Sequence, residues 1–431
     1  MSKIFIKFNI YTLVKLLFYL LPFFMLLDSA FITTYVTLFI ITTLFFFYFE
    51  KIIIKIDHID YLLLIFFLLG FVAALLNIAV LGKLLFLKSI SDFRFLIFFF
   101  LIRNLINHKL VNLKFIFMIA LSCAIFLSLD IIYQHINNKD FFGNLPFDGR
   151  FNGTFEHEAI AGSYIQKNSL LALSGIFLLT IKYQKKFFLF FLVTIILGIG
   201  ILLSLDRMPF IIYLFIIILL IFFLKEYRIF FIFNFIILLI IFILLFNNYK
   251  ILNDRYSSLS NEFNFNKFTN FFSTHDNEVI KKNIIEIKDN YYLIGDYSKI
   301  YRTSYYVWLK NPVIGSGKRS FGKMCDSVKI YRSEVVCSTH PHNIYLEIVV
   351  THGVLGLIIF LTFLTTTFYN IKKKIFTYNN NYYYIINTLF LTVLISELFP
   401  LRSYGSIFQT VNGTMFWFIL ALINSKKYKL E

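Results

Sequence analysis

The feature that most constrains this chain is a succession of apolar runs, each near 20 residues, broken once by a long polar segment. A run of about 20 residues is what a helix rising 1.5 Å per residue needs to cross a hydrocarbon core about 30 Å thick. The runs fall at 12–28, 30–49, 59–79, 86–106, 113–133, 159–181, 187–204, 208–224, 229–246, 343–369, 382–399 and 406–424. The reading is an all-α polytopic membrane protein with about twelve transmembrane helices and one large periplasmic loop. Composition agrees: of 431 residues 59% are hydrophobic and only 15% charged, with 58 Phe and 27 Tyr. A water-soluble fold of this size does not carry that balance.

The formal net charge of +17 does not imply a nucleic-acid surface, because the Lys and Arg residues sit in short tracts between apolar runs. One alternating set of connections holds Lys51 and Lys55, Arg103, Lys109 and Lys114, Lys182, Lys185 and Lys186, Lys225 and Arg228, Lys372 to Lys374, and Lys426, Lys427 and Lys429. By the positive-inside rule these are cytoplasmic, and so are both termini. The opposite set is external, with Arg150, Arg207 and Arg402 as its exceptions. The organisation expected is membrane helices 1–9 over 1–246, a large periplasmic loop over 247–342, and helices 10–12 with a cytoplasmic tail over 343–431. The first apolar run lacks a small-residue cleavage site, so the N-terminus is expected to be retained. No repeat, heptad pattern or inverted pair of broken helices marks a transporter.

Candidate chemistry gathers where the loop meets the membrane. Thr339-His340-Pro341-His342-Asn343 precedes the run that begins near residue 343, and Pro341 holds His340 extended. A histidine at a helix start can act as a base near neutral pH, with simple capping by His342 and Asn343 as the plain alternative. His340 and His342, two apart in an extended segment, are expected to point to opposite sides and not to share a metal. Arg150 opens Arg150-Phe151-Asn152-Gly153-Thr154-Phe155-Glu156-His157-Glu158, and Arg207 follows Ser204-Leu205-Asp206, both on the external side. Guanidinium groups there suit a diphosphate. The alternative for Arg207 is a pair with Asp206 or snorkelling to lipid headgroups. Arg302, Lys318 and Arg319 are further candidate substrate contacts within the loop. Asp92 and Arg94 could pair with each other; Asp130, and the Glu397 and Arg402 flanking Pro400, carry the same ambiguity between structure and function.

Of the three cysteines, Cys123 lies in an apolar run, while Cys325 and Cys337 share the polar loop. In an oxidising compartment the latter two could form a bridge worth ~2–3 kcal/mol. There is no Walker loop, dinucleotide-binding glycine pattern or zinc-spaced Cys/His cluster, so neither nucleotide nor metal cofactor is expected.

At these residues the chain resembles the O-antigen ligase and O-antigen polymerase family of bacterial inner-membrane glycosyltransferases. The resemblance is carried by the run from Arg150 to Gly162 and the Arg207 turn. It continues in Trp308-Leu309-Lys310-Asn311-Pro312-Val313-Ile314-Gly315-Ser316-Gly317 with Phe321, and in the His-Pro-His-Asn segment through Gly356. It implies metal-independent, inverting transfer of a glycan from an undecaprenyl-diphosphate carrier to an acceptor hydroxyl at the periplasmic face, in lipopolysaccharide biosynthesis. A ligase would use lipid A core as acceptor, and a polymerase a second lipid-linked glycan. The reading taken is ligase-like, with polymerase the alternative and a lipid-glycan flippase or transporter behind both. Arg150 and Arg207 would hold the diphosphate, His342 would take the acceptor proton, and His340 and Asn343 would orient the site.

Overall fold

Inside hydrocarbon each backbone N–H and C=O must be paired within its own segment, so the apolar runs fold as helices. The computed structural model describes residues 2–156, 158–179, 183–262, 296–329, 336–377, 381–426 and 428–430. His157 and, within the polar segment, residues 263–295 and 330–335 lie outside the described residues. The helices are α1 (Ser2–Tyr19), α2 (Ser29–Phe49), α3 (His58–Leu76), α4 (Lys83–Ser91), α5 (Phe93–Asn107), α6 (Leu113–Asn137), α7 (Ala161–Phe177) and α8 (Tyr183–Leu203). They continue as α9 (Arg207–Phe223), α10 (Arg228–Asn248), α11 (Lys250–Glu262), α12 (Asp296–Trp308), α13 (Phe321–Lys329), α14 (Ile344–Thr377), α15 (Asn381–Glu397) and α16 (Thr410–Asn424). No strand occurs among the described residues.

Among the described residues, six stretches are long and apolar enough to cross a bilayer: Ser29–Phe49, His58–Leu76, Leu113–Asn137, Lys185–Leu203, Lys225–Asn248 and Ile344–Thr377. Ile10–Tyr19, Arg207–Phe223 and Thr410–Asn424 are shorter apolar helices. Several of the expected runs are interrupted or end early. The 86–106 run divides at Asp92, which ends α4 and opens α5. The carboxylate does not pair with Arg94, one of the two readings left open for it, and takes Arg319 from the polar loop, at 2.7 and 3.1 Å. Arg94 turns to the Thr410 hydroxyl at 3.0 Å.

The helix α14 breaks at Gly353, whose φ of 65° and ψ of −167° leave helical space. The polar groups freed by the break are taken up by the loop segment 312–317. Pro312 and Val313 carbonyls accept from Val354 and Leu355 N–H at 2.9 and 3.1 Å, while Ser316 and Gly317 N–H donate to Val350 and Thr351 carbonyls at 2.9 Å. A Cβ on Gly315 or Gly353 would collide with the other's backbone, and one on Gly317 with Ala74 of α3. This accounts for the spacing of the Asn-Pro-Val-Ile-Gly-Ser-Gly run: it lies as a strap across a broken helix, where side chains do not fit. Trp308 holds the strap's entry by donating from its indole to the Pro312 carbonyl at 3.0 Å, and the Asn311 amide reaches the Ser316 hydroxyl at 3.0 Å.

Beyond the strap, α12 and α13 pack with each other and on α14 around Ile300, Val307, Phe321, Met324 and Val350. The Cys325–Cys337 disulfide is formed, with Cα atoms 5.7 Å apart, and Cys123 is buried and free. In the membrane bundle α7 is central, buried against α6, α8 and α15 along its whole length except at Ser163.

Contacts join the connections of each set to one another. At one end Arg103 pairs with Asp57 and Asp60 at 2.7 Å, Lys426 reaches Asp57 at 2.8 Å, and Leu113 N–H donates to the Lys429 carbonyl at 3.0 Å. The other end carries the candidate site.

Candidate functional site

Three separate segments bring arginines together at this end of the helices. A tight turn pairs Phe147 with Arg150 through two backbone hydrogen bonds and presents the Arg150 side chain. The turn between α8 and α9 places Leu205 at a left-handed φ of 62°. That backbone puts Asp206 at the first position before α9 with its carboxylate turned back toward α7 rather than capping α9. Arg150 Nη1 lies 3.1 Å from Asp206 Oδ1, and Gly162 N–H donates to Asp206 Oδ2 at 3.2 Å. A Cβ on Gly162 would run into Ser204 and Asp206, so the close approach needs glycine. Arg207 does not pair with Asp206; its guanidinium donates to the Arg255 carbonyl at 3.1 Å. Arg255, on α11, donates to the Asp148 carbonyl at 2.6 Å and lies in the field of Arg150, Arg207 and Asp206.

Asp206 thus lies beside Arg150 and in the field of Arg255, with Arg207 next to Arg255, and guanidinium groups gathered in this way suit an anionic ligand. Burial pushes the Asp206 carboxyl up to about 6 although Arg150 opposes it. Arg255 was not singled out in the sequence. It carried the signal that selected Arg207, an arginine close to the edge of an apolar run, but it was hidden in a stretch without clear periodicity.

A second group forms at the start of α14. Asn343 caps the helix, its side-chain oxygen accepting from Tyr345 and Leu346 N–H at 3.0 and 3.2 Å, and its amide donates to the Pro400 carbonyl at 2.7 Å. His342 takes a left-handed φ of 55°. This overturns the extended alternation expected for the two histidines: their rings pack together with centroids 4.1 Å apart. His342 Nε2 is 3.1 Å from the Ser338 hydroxyl, and His340 Nδ1 is 3.0 Å from that of Thr339. Burial lowers His342 below its ordinary value, and burial together with the neighbouring His342 lowers His340 to about 4. Among the described residues no group of three or more His, Cys, Asp or Glu has the arrangement to hold a metal ion.

The two groups are linked through α7 and the 397–407 turn. The His342 carbonyl accepts from Tyr404 N–H at 2.8 Å, and the Tyr404 hydroxyl donates to Glu397 at 2.7 Å. Glu397 pairs with Arg402 at 2.8 Å, and Arg402 bonds Gln166 at 2.7 Å. Gln166 is one helical turn, about 6 Å along the axis, from Gly162 and its bond to Asp206.

The remaining candidates lie elsewhere. Arg302 is half-buried on α12. Arg319, with φ 60°, is held by Asp92 and by the Phe408 carbonyl at 2.8 Å. Lys318 is fully buried among the rings of Phe67, Phe93 and Phe408, at 4.1, 4.7 and 5.3 Å from their centroids, and burial lowers it to about 7. Both residues anchor the strap to the bundle. Asp130 is buried on α6 and accepts from Phe141 N–H at 2.8 Å, shaping the loop ahead of Arg150.

No curated protein matches the chain. Residues 190–361 match the family model described as O-antigen ligase. The matched stretch takes in the Arg207 turn, Arg255, the strap, His342 and the helix break at Gly353. This match bears out, at the level of the family, the resemblance to the O-antigen ligase and polymerase family that the motifs carry.

Proposed function

We propose that this protein transfers a glycan from an undecaprenyl-diphosphate carrier to an acceptor hydroxyl at the outer face of the bacterial inner membrane. The observation that carries the reading is the gathering of Arg150, Arg207 and Arg255, with Asp206 paired to Arg150 and Arg207 bonded to the Arg255 carbonyl. These arginines would bind the diphosphate and stabilise the charge that develops as it leaves, supplying the positive field without a metal. His342, kept neutral at pH 7 by burial, would accept the acceptor's proton. The acceptor oxygen would then bond to the anomeric carbon as the carbon–phosphate-oxygen bond breaks, with inversion. His340 and Asn343 would orient that base.

The reading includes a bundle of about twelve spans in which the shorter apolar helices complete the crossings. Both termini would be cytoplasmic and the 247–342 segment periplasmic. The family description favours a ligase, with lipid A core as acceptor, over a polymerase that extends one lipid-linked glycan with another. The clustering of informative residues at the outer helix ends, rather than along a midplane cavity, speaks against a flippase or transporter.

The test is transfer by the purified protein from a defined lipid-linked donor. His342→Ala is expected to lose on the order of a hundredfold or more in rate, the usual size of general-base catalysis. Normal transfer in that variant would remove the base. Lipopolysaccharide from a deletion strain separates the two acceptors: polymer left on undecaprenol marks a ligase, and short unextended chains mark a polymerase.

A further inference from the structure

The single opening along α7, at Ser163, leads into a cleft between the N-terminal hairpin, α7 and the first turn of α16. The cleft encloses about 330 Å³ of empty space counting its mouth, and Met25, Ser163, Lys167, Asn168, Asn412 and Met415 are among the residues that line it. Two buried polar groups at its wall are incompletely used. Lys167 is 5% exposed, and its ammonium donates to Asn412 Oδ1 at 2.8 Å and lies 4.6 Å from the centre of the Tyr404 ring. That is one hydrogen bond for a group with three donors. Asn168 is 1% exposed; its amide nitrogen donates to the Tyr164 carbonyl at 3.0 Å, while its Oδ1 has no hydrogen-bond partner.

A buried acceptor without a donor is costly, and natural sites seldom keep one without use. Beside an ammonium with donors to spare, the pair calls for a group that both accepts and donates. A hydroxyl does so. A phosphate offers nothing to Asn168 Oδ1, and an acyl chain satisfies neither side. The floor has room for about one water-sized group. It therefore fits one hydroxyl-bearing end of a ligand rather than a whole glycan, while Met25, Val411 and Met415 supply an apolar wall. The position is equally specific. On one face α7 offers Gly162 to Asp206 and Gln166 to Arg402, and on the adjacent face Ser163 and Lys167 meet the cleft. Tyr404 lies between the cleft and His342, with its ring against Lys167 and its N–H on the His342 carbonyl.

We propose that this cleft is the acceptor-side site, where Lys167 donates to, and Asn168 accepts from, a hydroxyl of the acceptor sugar. The inference rests on the glycan-transfer reading and adds to it a division of the molecule by α7. Donor diphosphate would bind on the arginine face and acceptor on the Ser163 face, with His342 reached from both.

The test uses full-length protein in lipid nanodiscs, with lipid A core and lipid-linked glycan offered as acceptors in separate reactions. Ser163→Trp, which fills the mouth from a half-exposed position, and Asn168→Leu are each expected to raise the acceptor KM about tenfold, the effect of one lost hydrogen bond to a buried partner. The donor KM should stay within about twofold, and Lys167→Met should behave like Asn168→Leu. Equal rises in both KM values, or an unchanged acceptor KM in Ser163→Trp, would overturn the site while leaving the transfer reading in place. If the unmodified protein transferred nothing, the reading itself would fall. Direct binding of core oligosaccharide released from the host's lipid A core would then decide the cleft. Binding lost in Ser163→Trp supports it, whereas equal binding or none overturns it.

Discussion

At the scale of single residues, the proposed chemistry depends on charges that burial has shifted. Because burial lowers His342 from its ordinary 6.5, the neutral ring needed to take a proton is the dominant form at pH 7. Transfer is expected to hold as pH drops from 7 toward the ordinary histidine value and to decline only at lower pH, where the imidazole protonates. An acid limb starting above pH 7 in a pH–rate profile would contradict this. Stability follows the same sign for His340. Its value of about 4 in the folded state, against 6.5 unfolded, means the unfolded chain binds more protons in between, so stability falls as pH is lowered through that window. Arg255→Ala is expected to raise the donor KM about tenfold or more with the fold intact, as for loss of a charge-assisted phosphate contact. An unchanged donor KM would take Arg255 out of the site. That Arg150, Arg207 and His342 stand at turns next to helix ends was legible, because each lies beside a turn or proline at the edge of an apolar run. The histidine ring contact was not legible, since it depends on one left-handed φ at a non-glycine residue.

The element on which the site's geometry most depends is the broken helix α14. Its first half, from Ile344 to the break, begins just after His342 and Asn343, and the strap 312–317 holds the two halves together through two backbone hydrogen bonds to each. Gly353→Ala would impose a Cβ on a left-handed residue already in contact with the Val313 carbonyl. The expected cost is at least ~1–3 kcal/mol, the size of a strained backbone position. It is read as a lowered midpoint in thermal unfolding of the detergent-solubilised protein, and an unchanged midpoint would show that the strap yields freely. Reducing the Cys325–Cys337 bridge should lower the same midpoint more modestly, by removing ~2–3 kcal/mol from the α13 region alone. Apolar runs and the proline–glycine motif told where α14 begins and that the 312–317 backbone is unusual. What they could not tell is that the two meet, because the strap's partner is a helix interior far along the chain and no local periodicity records it. Asp92 is similar: its partner Arg319 lies in the polar loop, whereas the sequence offered a nearer cation in Arg94.

For the molecule as a whole, the alternation of basic and non-basic connections sorted the helix ends into two sets, and the contacts join members of the same set. Arg103, Asp57, Asp60 and Lys426 form an ion-paired group at one end, while Arg150, Asp206, Arg255 and the 397–407 turn meet at the other. The three arginines that broke the positive-inside pattern find their reason here. Arg150 is tied to Asp206, Arg402 to Glu397, and Arg207 to the Arg255 carbonyl, so they are held by the fold rather than acting as free topogenic charges. The orientation that follows is testable with single cysteines at exposed apolar positions of opposite ends. Leu145 is 64% exposed in the loop before Arg150, and Phe376 is 76% exposed in the last turn of α14. A membrane-impermeant maleimide applied to intact spheroplasts is expected to label Leu145→Cys and to reach Phe376→Cys only after permeabilisation, with the buried Cys123 silent in both. The reverse pattern would put the arginine group on the cytoplasmic side. That would separate it from any periplasmic acceptor and remove the physical basis for transfer at the outer face.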